Sequence, residues 1–428
     1  MHRTAKTSDW LAELEWRGLL YDRTERLGDA LTSGSVTGYC GFDPTANSLH
    51  VGSLVQVMGL VHLQRAGHRP VVLVGGGTGL IGDPSGKVNE RQLLPAEQIA
   101  ANTQAIRAQL ERFLDFSGSR GALMRDNAEW LAPASAVTFL RDVGKHFSIN
   151  YMLAKDSVKS RLDAGISFTE FAYMLLQAYD FLELYRRDGV TLQTGGSDQW
   201  GNITAGIELI RRAAGADAHG LVLPLITTAG GSKFGKTEAG TVWLDPARTS
   251  PYQFYQYWIN TDDRDVGRYL RFFTVRSRDE ITAFDAATRD SPGERQAQLA
   301  LARDVTARVH GDEAASTAIE VSGLLFGRGD PRTLSPAALK ALEAEIPSVS
   351  VDAPPAGTGL DTLDVFGKAG LAPSKGAVRR LLEQGGLAVN GRKLSAADRQ
   401  LTSEDALAGR YYLLRKGARD YALVTVAR

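Results

Sequence analysis

Cysteine is almost absent from this sequence. Cys40 is the single one in 428 residues, which excludes an internal disulfide and any metal cluster built on thiolates. The seven histidines show no metal-site spacing such as H-E-x-x-H, so no structural metal is expected. Long apolar runs are missing too. None approaches the ~20 residues of a membrane-spanning helix, and the opening Met1-His2-Arg3-Thr4-Ala5-Lys6 lacks the apolar stretch of a secretion signal. A cytoplasmic protein with no membrane partner is expected. Internal repeats and low-complexity tracts are also absent. So is a net charge: 49 basic residues balance 49 acidic ones, which at first argues against a nucleic-acid partner.

The charge is unevenly spread, however. Residues 363–428 carry twelve Lys and Arg against six Asp and Glu, so everything before them is acidic by six. A basic C-terminal module on a neutral-to-acidic body is the footprint of a nucleic-acid partner. The length exceeds what one compact core holds, so two or three domains are expected. With 43% hydrophobic and 23% charged residues the composition is that of a water-soluble enzyme.

Apolar β-branched runs, Gly-rich turns and helical patterns alternate through the first 230 residues, as in Ser35-Val36-Thr37-Gly38-Tyr39 and Val71-Val72-Leu73-Val74. That alternation predicts an α/β domain, a parallel sheet covered by helices, over 1–245. Helical periodicity rich in Arg and Ala then replaces the strands, which predicts an α-helical domain over 246–347. The segment from Ser348 to Gly359 is small and Pro/Gly-rich. It reads as an unpacked linker over 348–362, leaving a third module over 363–428.

Three segments carry the chemistry. A strand ending in Tyr39-Cys40-Gly41-Phe42 runs into Asp43-Pro44-Thr45, then Ser48 as an N-cap, then Leu49-His50-Val51-Gly52-Ser53 opening a long helix. Thr45 and His50 then sit near a helix N-terminus, where unpaired N–H groups favour anions. The alternative is a surface turn with a solvated histidine. Downstream, Gly230-Gly231-Ser232-Lys233-Phe234-Gly235-Lys236-Thr237 is a loop with two lysines three apart. Between them, Gly75 to Lys87 imitates two nucleotide motifs. Gly77-Thr78-Gly79-Leu80-Ile81-Gly82 fits G-x-G-x-x-G, but Asp83-Pro84 stands where a helix should start; Gly82 to Lys87 is a P-loop one residue short, with Val88 in place of the magnesium-holding Ser or Thr. Both readings are rejected.

Ser167-Phe168-Thr169-Glu170 reads as a capping box for a helix that runs to Arg186-Arg187 and stops at Asp188-Gly189. Tyr173, Gln177 and Asp180 share one face of it, at i, i+4 and i+7. Asp180 is then either a solvated edge or a polar group aimed into a pocket, and the flanking Met174, Leu175, Leu176 and Phe181 favour the pocket. Gly195-Gly196-Ser197-Asp198-Gln199 joins another strand to a helix and reads as a capped connection.

Together, His50-Val51-Gly52-Ser53 and Lys233-Phe234-Gly235-Lys236-Thr237 resemble the two signature sequences of class I aminoacyl-tRNA synthetases, usually written HIGH and KMSKS. The order of all the segments, the helical part opening at Ser250-Pro251-Tyr252 and the basic tail resemble the bacterial-type tyrosyl-tRNA synthetases over nearly the whole chain. That resemblance implies a Rossmann-like catalytic domain, a helical domain and a small α+β S4-like RNA-binding domain. It implies activation of L-tyrosine by ATP to tyrosyl-adenylate and pyrophosphate, with Mg2+ accompanying the nucleotide, then transfer to the 3′ end of tRNA(Tyr). Charge develops on the leaving pyrophosphate, so cations and donors aimed there stabilise the transition state, each worth about 3–4 kcal/mol.

By the same resemblance, Thr45, His50, Lys87, Arg91, Lys233, Lys236 and Thr237 would serve the phosphates. Tyr39 and Asp180 would grip the phenol, Asp83, Tyr173 and Gln177 the ammonium, with Gln199 nearby. Cys40, Gly41, Asp43, His50, Gly52, Ser53, Gly196, Asp198 and Lys236 would bind ATP and the adenylate. Ser53 stands where the family usually has a second histidine, which leaves its role open. In the tail, Lys375, Arg379, Arg380, Arg392 and Lys393 would face the tRNA. A homodimer pairing near Ala132 to Ala154 is implied as well. The alternatives are a tryptophanyl-tRNA synthetase, or an RNA-binding homologue without catalysis, which would have no use for Lys87, Arg91, Lys233 and Lys236.

Overall fold

In the computed structural model, residues 9–83, 94–155, 158–159, 162, 165–231, 234–237, 240–327, 329–355 and 357–427 are described. They fold as two compact units, one of residues up to 249 with 260–301, the other of 250–259 with 302–428.

The first unit is built on a six-stranded sheet. Its strands are β1 (Asp22–Arg23), β2 (Thr37–Phe42), β3 (Arg69–Val74), β4 (Leu123–Asp126), β5 (Leu192–Gly196) and β6 (His219–Leu223), in the order β1-β6-β5-β2-β3-β4. All neighbours are parallel except β1, which caps the edge antiparallel to β6. Both faces are covered, which is why β3, β5 and β6 are buried almost throughout, with apolar stretches such as Val71–Val74 and Leu221–Leu223. The helix Leu54–Arg65 covers one side, and nine of its twelve residues are buried. Phe168–Asp188 and Trp200–Ala214 pack together, with Gly206 leaving room for Phe181: a Cβ there would sit 2.9 Å from that ring.

Local signals set these helices. Ser167 accepts the Glu170 N–H at the start of Phe168–Asp188, and Gly189 ends it in the left-handed region at φ 67°. The expected Ser48 cap is corrected. Ser48 is buried and bonded to Leu49, Gln109 and Asp245, while His50 caps a 3-10 turn, Val51–Ser53, that precedes the helix.

Two sequence boundaries are redrawn. Helices Asp263–Phe273 and Arg278–Asp290, expected within a single helical domain, belong to the sheet-bearing unit. The buried Arg17 explains this: its guanidinium donates to the carbonyls of Arg271, Thr274 and Arg276 at 2.8, 3.0 and 2.7 Å, binding the end of the first helix to the unit. Helix periodicity carries no information about which unit a helix joins.

The second boundary lies in the linker. In the second unit, β9 (Ser348–Val351) is not unpacked chain but a strand parallel to β15 (Asp420–Val426). Its alternating Val349 and Val351 suit a half-buried strand, and Val351 joins the core. The five-stranded sheet runs β12-β11-β14-β15-β9, with β11 (Leu387–Val389), β12 (Arg392–Lys393) and β14 (Tyr411–Lys416). A two-stranded pair lies beside it, β10 (Leu360–Asp361) with β13 (Gln400–Leu401). Among the described residues, no helix is long and apolar enough to cross a membrane.

Candidate active site

From β2 the chain proceeds outward through β3 to β4, then returns to place β5 and β6 on the other side of β2. Loops leaving the ends of β2 and β5 therefore diverge, and a crevice opens at their C-terminal ends. A cavity of about 330 Å³ occupies it.

Asp180 forms the deep end. Its side chain is 2% exposed, and it accepts Trp130 Nε1–H at 2.7 Å and Asn127 Nδ2–H at 2.9 Å. Burial pushes its carboxyl up to about 8, against the pull of those two hydrogen bonds. Tyr39, 1% exposed and in register with Gln193 of β5, lines the same wall. Its hydroxyl is buried without a hydrogen-bond partner. Burial, followed by the charge of Asp180, holds that phenol well above its ordinary value. An unsatisfied buried hydroxyl costs about 1–3 kcal/mol, which a polar ligand atom would relieve.

Next comes a hydrogen-bonded frame. Asp43 accepts the Tyr173 hydroxyl and the Thr78 hydroxyl, both at 2.9 Å. Asn127 in turn donates to Thr78 Oγ1 at 2.9 Å and accepts the Gly77 N–H at 2.8 Å. Gly75 permits this closeness, since a Cβ there would stand 2.3 Å from Asp43 Oδ1. On the other wall, Gln199 donates to Asp83 at 2.7 Å and accepts from Gln177 at 3.2 Å, while Asn202 donates to the Gln177 carbonyl at 3.0 Å. Three amides thus donate in sequence toward one carboxylate, Asp83.

At the mouth, His50 Nδ1 accepts the Gly52 N–H at 3.0 Å, so the neutral ring carries its proton on Nε2. Gly52, Ser53 and Gln56 follow in the wall, with Cys40 and Gly41 from β2 and Gly196 and Asp198 from the end of β5. Burial pushes the Cys40 thiol up to about 12, so it stays neutral.

The lysine loop lies on the histidine turn. Val51 N–H donates to Val242 O at 3.1 Å and Leu244 N–H to Leu49 O at 2.9 Å. Between these segments the chain folds back as β7 (Lys236–Thr237) and β8 (Gly240–Thr241). Gly235, at φ 78°, abuts Val51: a Cβ would lie 2.7 Å from its Cγ2. Phe234 stacks on Phe273, with centroids 5.4 Å apart, and meets Tyr269 edge-on. The helix Asp263–Phe273 also holds the loop's stem, through Asp265 to the Ala229 N–H at 2.8 Å and Arg268 to Thr227 O at 2.6 Å.

Thirteen of the expected residues line the cavity: Tyr39, Cys40, Gly41, Asp43, His50, Gly52, Ser53, Asp83, Tyr173, Gln177, Asp180, Gly196 and Asp198, with Gln199 a fourteenth. Thr45 is exposed beyond the wall, and Lys236 is exposed on the docked loop. Lys87, Arg91, Lys233 and the Thr237 side chain lie outside the described residues. Sequence reasoning missed Asn127, Trp130, Thr78, Gln193, Gln56 and Asn202. The polar pair Asp126-Asn127 at the end of β4, where strand ends meet the crevice, was the available signal for the first two.

In the second unit, Arg379, Arg380 and Lys393 are exposed, and Lys375 pairs with Asp364. Arg392 departs from expectation. It bridges Asp398 at 2.6 Å and Asp405 at 3.0 Å, so its charge is met by the segment that follows the hairpin.

The model of class I tRNA synthetases (W and Y) matches residues 32–327, which leaves tryptophan and tyrosine both open. The model of the tyrosine–tRNA ligase SYY-like C-terminal domain matches residues 338–424 and decides between them. The chain belongs to the tyrosine–tRNA ligase family. A tyrosine–tRNA ligase of Anaeromyxobacter dehalogenans is 56% identical over 97% of this chain and 99% of its own length. One from Roseiflexus castenholzii is 53% identical over 97% and 98%. A C-terminally truncated mitochondrial tyrosyl-tRNA synthetase of Aspergillus nidulans superposes with a TM-score of 0.68 at 30% identity, over 74% of this chain and 94% of that one. Tyrosine–tRNA ligases thus match both units, the class I fold in the first and the family's C-terminal domain in the second. Among the described residues, no three His, Cys, Asp or Glu side chains stand together as a metal seat.

Proposed function

We propose that the chain is a tyrosine–tRNA ligase, which activates L-tyrosine with ATP and passes it to tRNA(Tyr). The observation that carries the reading is the polar deep end of the cavity. A buried carboxyl group, Asp180, and an unpartnered phenol, Tyr39, suit one ligand hydroxyl at the tip of a flat side chain. Phenylalanine entering there would leave both unsatisfied.

In this reading the ammonium of tyrosine sits among Asp83, Tyr173, Gln177 and Gln199. Its carboxylate attacks the α-phosphate of ATP, forming the mixed anhydride and releasing pyrophosphate. His50, a donor through Nε2, and Thr45 meet the departing phosphates, with Lys236 and Thr237 closing from the docked loop and Lys233, Lys87 and Arg91 completing the cation set. The close packing of Gly235 on Val51 supports this, because it ties the lysine loop to the histidine turn. Asp43, Cys40, Gly41, Gly52, Ser53, Gly196 and Asp198 receive the nucleotide. Chemistry of this kind needs charge stabilisation and positioning, not a general base. Mg2+ arrives on the triphosphate as part of the substrate.

The reading extends to the partner and the assembly. Arg379, Arg380, Lys393 and Lys375 form the tRNA-facing side of the C-terminal module, Arg392 supporting its hairpin. The enzyme acts in the cytoplasm as a homodimer. The helix Ala136–Asp142 supports the dimer, since it buries none of its residues and leaves Val137 77% and Leu140 59% exposed, with Ile149 of the following helix 60% exposed.

Amino-acid-dependent exchange of labelled pyrophosphate into ATP tests the proposal. Exchange is expected with tyrosine and not with tryptophan or phenylalanine; exchange with tryptophan, or with none of the three, refutes it.

A further inference from the structure

Asn202 stands behind the cavity wall and is 5% exposed. It lies in the first turn of the helix Trp200–Ala214, on the face that also carries Gly206 and Leu209, at i, i+4 and i+7. That face is otherwise apolar. Gly206 lies against Phe181 of the neighbouring helix, and Leu209 joins the same core. A carboxamide buried in such a place is costly unless its polar atoms are engaged.

They are engaged, and on residues of the wall. The Asn202 Nδ2 group donates to Gln177 Oε1 at 3.0 Å and to Gln199 Oε1 at 3.2 Å. Gln199 occupies the N-cap position of the same helix, but its side chain makes no cap bond and turns to the cavity instead. From there the bonds run from Gln177 Nε2 to Gln199 at 3.2 Å and from Gln199 Nε2 to Asp83 at 2.7 Å. A carboxylate at one end only accepts, and an NH2 group at the other only donates, so both ends impose the same direction on the chain. Turning the Gln177 amide over would set NH2 against NH2 at Asn202 and oxygen against oxygen at Gln199. Gln199 is anchored by the short bond to Asp83, Gln177 by Asn202. Without Asn202, the Gln177 side chain keeps one hydrogen bond among the described residues, the 3.2 Å bond to Gln199.

The direction matters to an amine. An ammonium is a donor only, and in the ligase reading it meets Asp83, Tyr173 and Gln177. The Tyr173 hydroxyl gives its hydrogen to Asp43, which leaves its oxygen to accept. Gln177 offers an oxygen only in the orientation that Asn202 holds; turned over, it would set an NH2 group against a cation. We propose that Asn202 is a positioning residue for the amino group of the substrate, which it does not touch, fixing the Gln177 oxygen as one of three acceptors. The inference rests on the ligase reading and extends it to a residue outside the cavity.

The test uses two ligands that differ only in the amino group, tyramine and 4-ethylphenol. Their affinities are read at neutral pH as competition with tyrosine in pyrophosphate exchange. Asn202→Ala should weaken tyramine by about fivefold to a hundredfold, as expected for a lost hydrogen bond to a charged group, and leave 4-ethylphenol within about twofold. KM for tyrosine should rise in step with the loss for tyramine, while kcat and KM for ATP stay near wild type, because the interaction is made equally in the ground and transition states. Asn202→Ser, a milder change that keeps one donor, should fall between alanine and wild type in the ratio of the two affinities. Equal weakening of tyramine and 4-ethylphenol would show that Asn202 only supports packing, and it overturns the proposal; so does an unchanged affinity for tyramine. Absence of tyrosine-dependent exchange in the wild type would instead strike the ligase reading.

Discussion

Asp180→Asn makes a sharp test of the buried carboxylate. Burial holds the Asp180 carboxyl at about 8 against 3.8 when solvated. The folded protein therefore holds a proton that the unfolded chain releases above the ordinary carboxylate range. Folding is favoured by acid across that window, and stability falls as pH rises from the unfolded value toward the folded one. Each pH unit inside the window is worth 1.36 kcal/mol, so from about pH 5 to about pH 8 wild type should lose about 4 kcal/mol relative to the asparagine variant. The variant also carries a pH-independent penalty. Its amide nitrogen would face either Trp130 Nε1 or Asn127 Nδ2, both donors, and Asn127 is held in place by the Gly77 and Thr78 N–H groups. That donor–donor conflict costs about 1–3 kcal/mol. Urea unfolding followed by tryptophan fluorescence, at fixed ionic strength across this pH range, reads both quantities. The offset appears near pH 5, and the gap should then shrink and reverse as pH rises. Parallel stability curves for the two proteins would refute the idea that this carboxyl is perturbed by burial.

Two further outcomes follow from the contacts. Phe234→Ala removes the ring that stacks on Phe273 and meets Tyr269, freeing the lysine loop; aromatic pairs contribute about 0.5–1.5 kcal/mol each beyond burial, so adenylate formation should slow by about tenfold or more in stopped flow while tyrosine affinity is unchanged. A matching loss of tyrosine affinity would show that the ring supports the whole cavity instead. Leu140→Glu places a charge on the bare face of Ala136–Asp142, and sedimentation should show monomers; a variant that sediments like wild type would locate the dimer contact elsewhere.

Individual residues show how much was legible in the sequence. The long helix, its Ser167 cap and Gly189 stop were readable because they are local: a side-chain oxygen reaching a backbone N–H three residues on, and a left-handed position suited to glycine. The inward aim of Asp180 was readable as well, because its neighbours are apolar on both sides. Strand residues ending in glycine-rich turns marked the crevice by their order along the chain. The pairing of His50 with the Lys236 loop, by contrast, was reached only through family resemblance, since no local property of either segment points to the other.

Sequence alone therefore determined the alternating sheet, the capped helices, the basic tail and the set of side chains available to the cavity, all properties of neighbours in the chain. Tertiary structure decided which of them meet. It brought Trp130 and Asn127 to Asp180 across 50 and 53 residues, and it neutralised Arg392 between two aspartates that any charge count leaves free. It also made Ser348–Val351 a strand by giving it β15 as a partner. Long-range hydrogen bonds and ion pairs depend on where the backbone returns in space, and spacing along the chain does not encode that return.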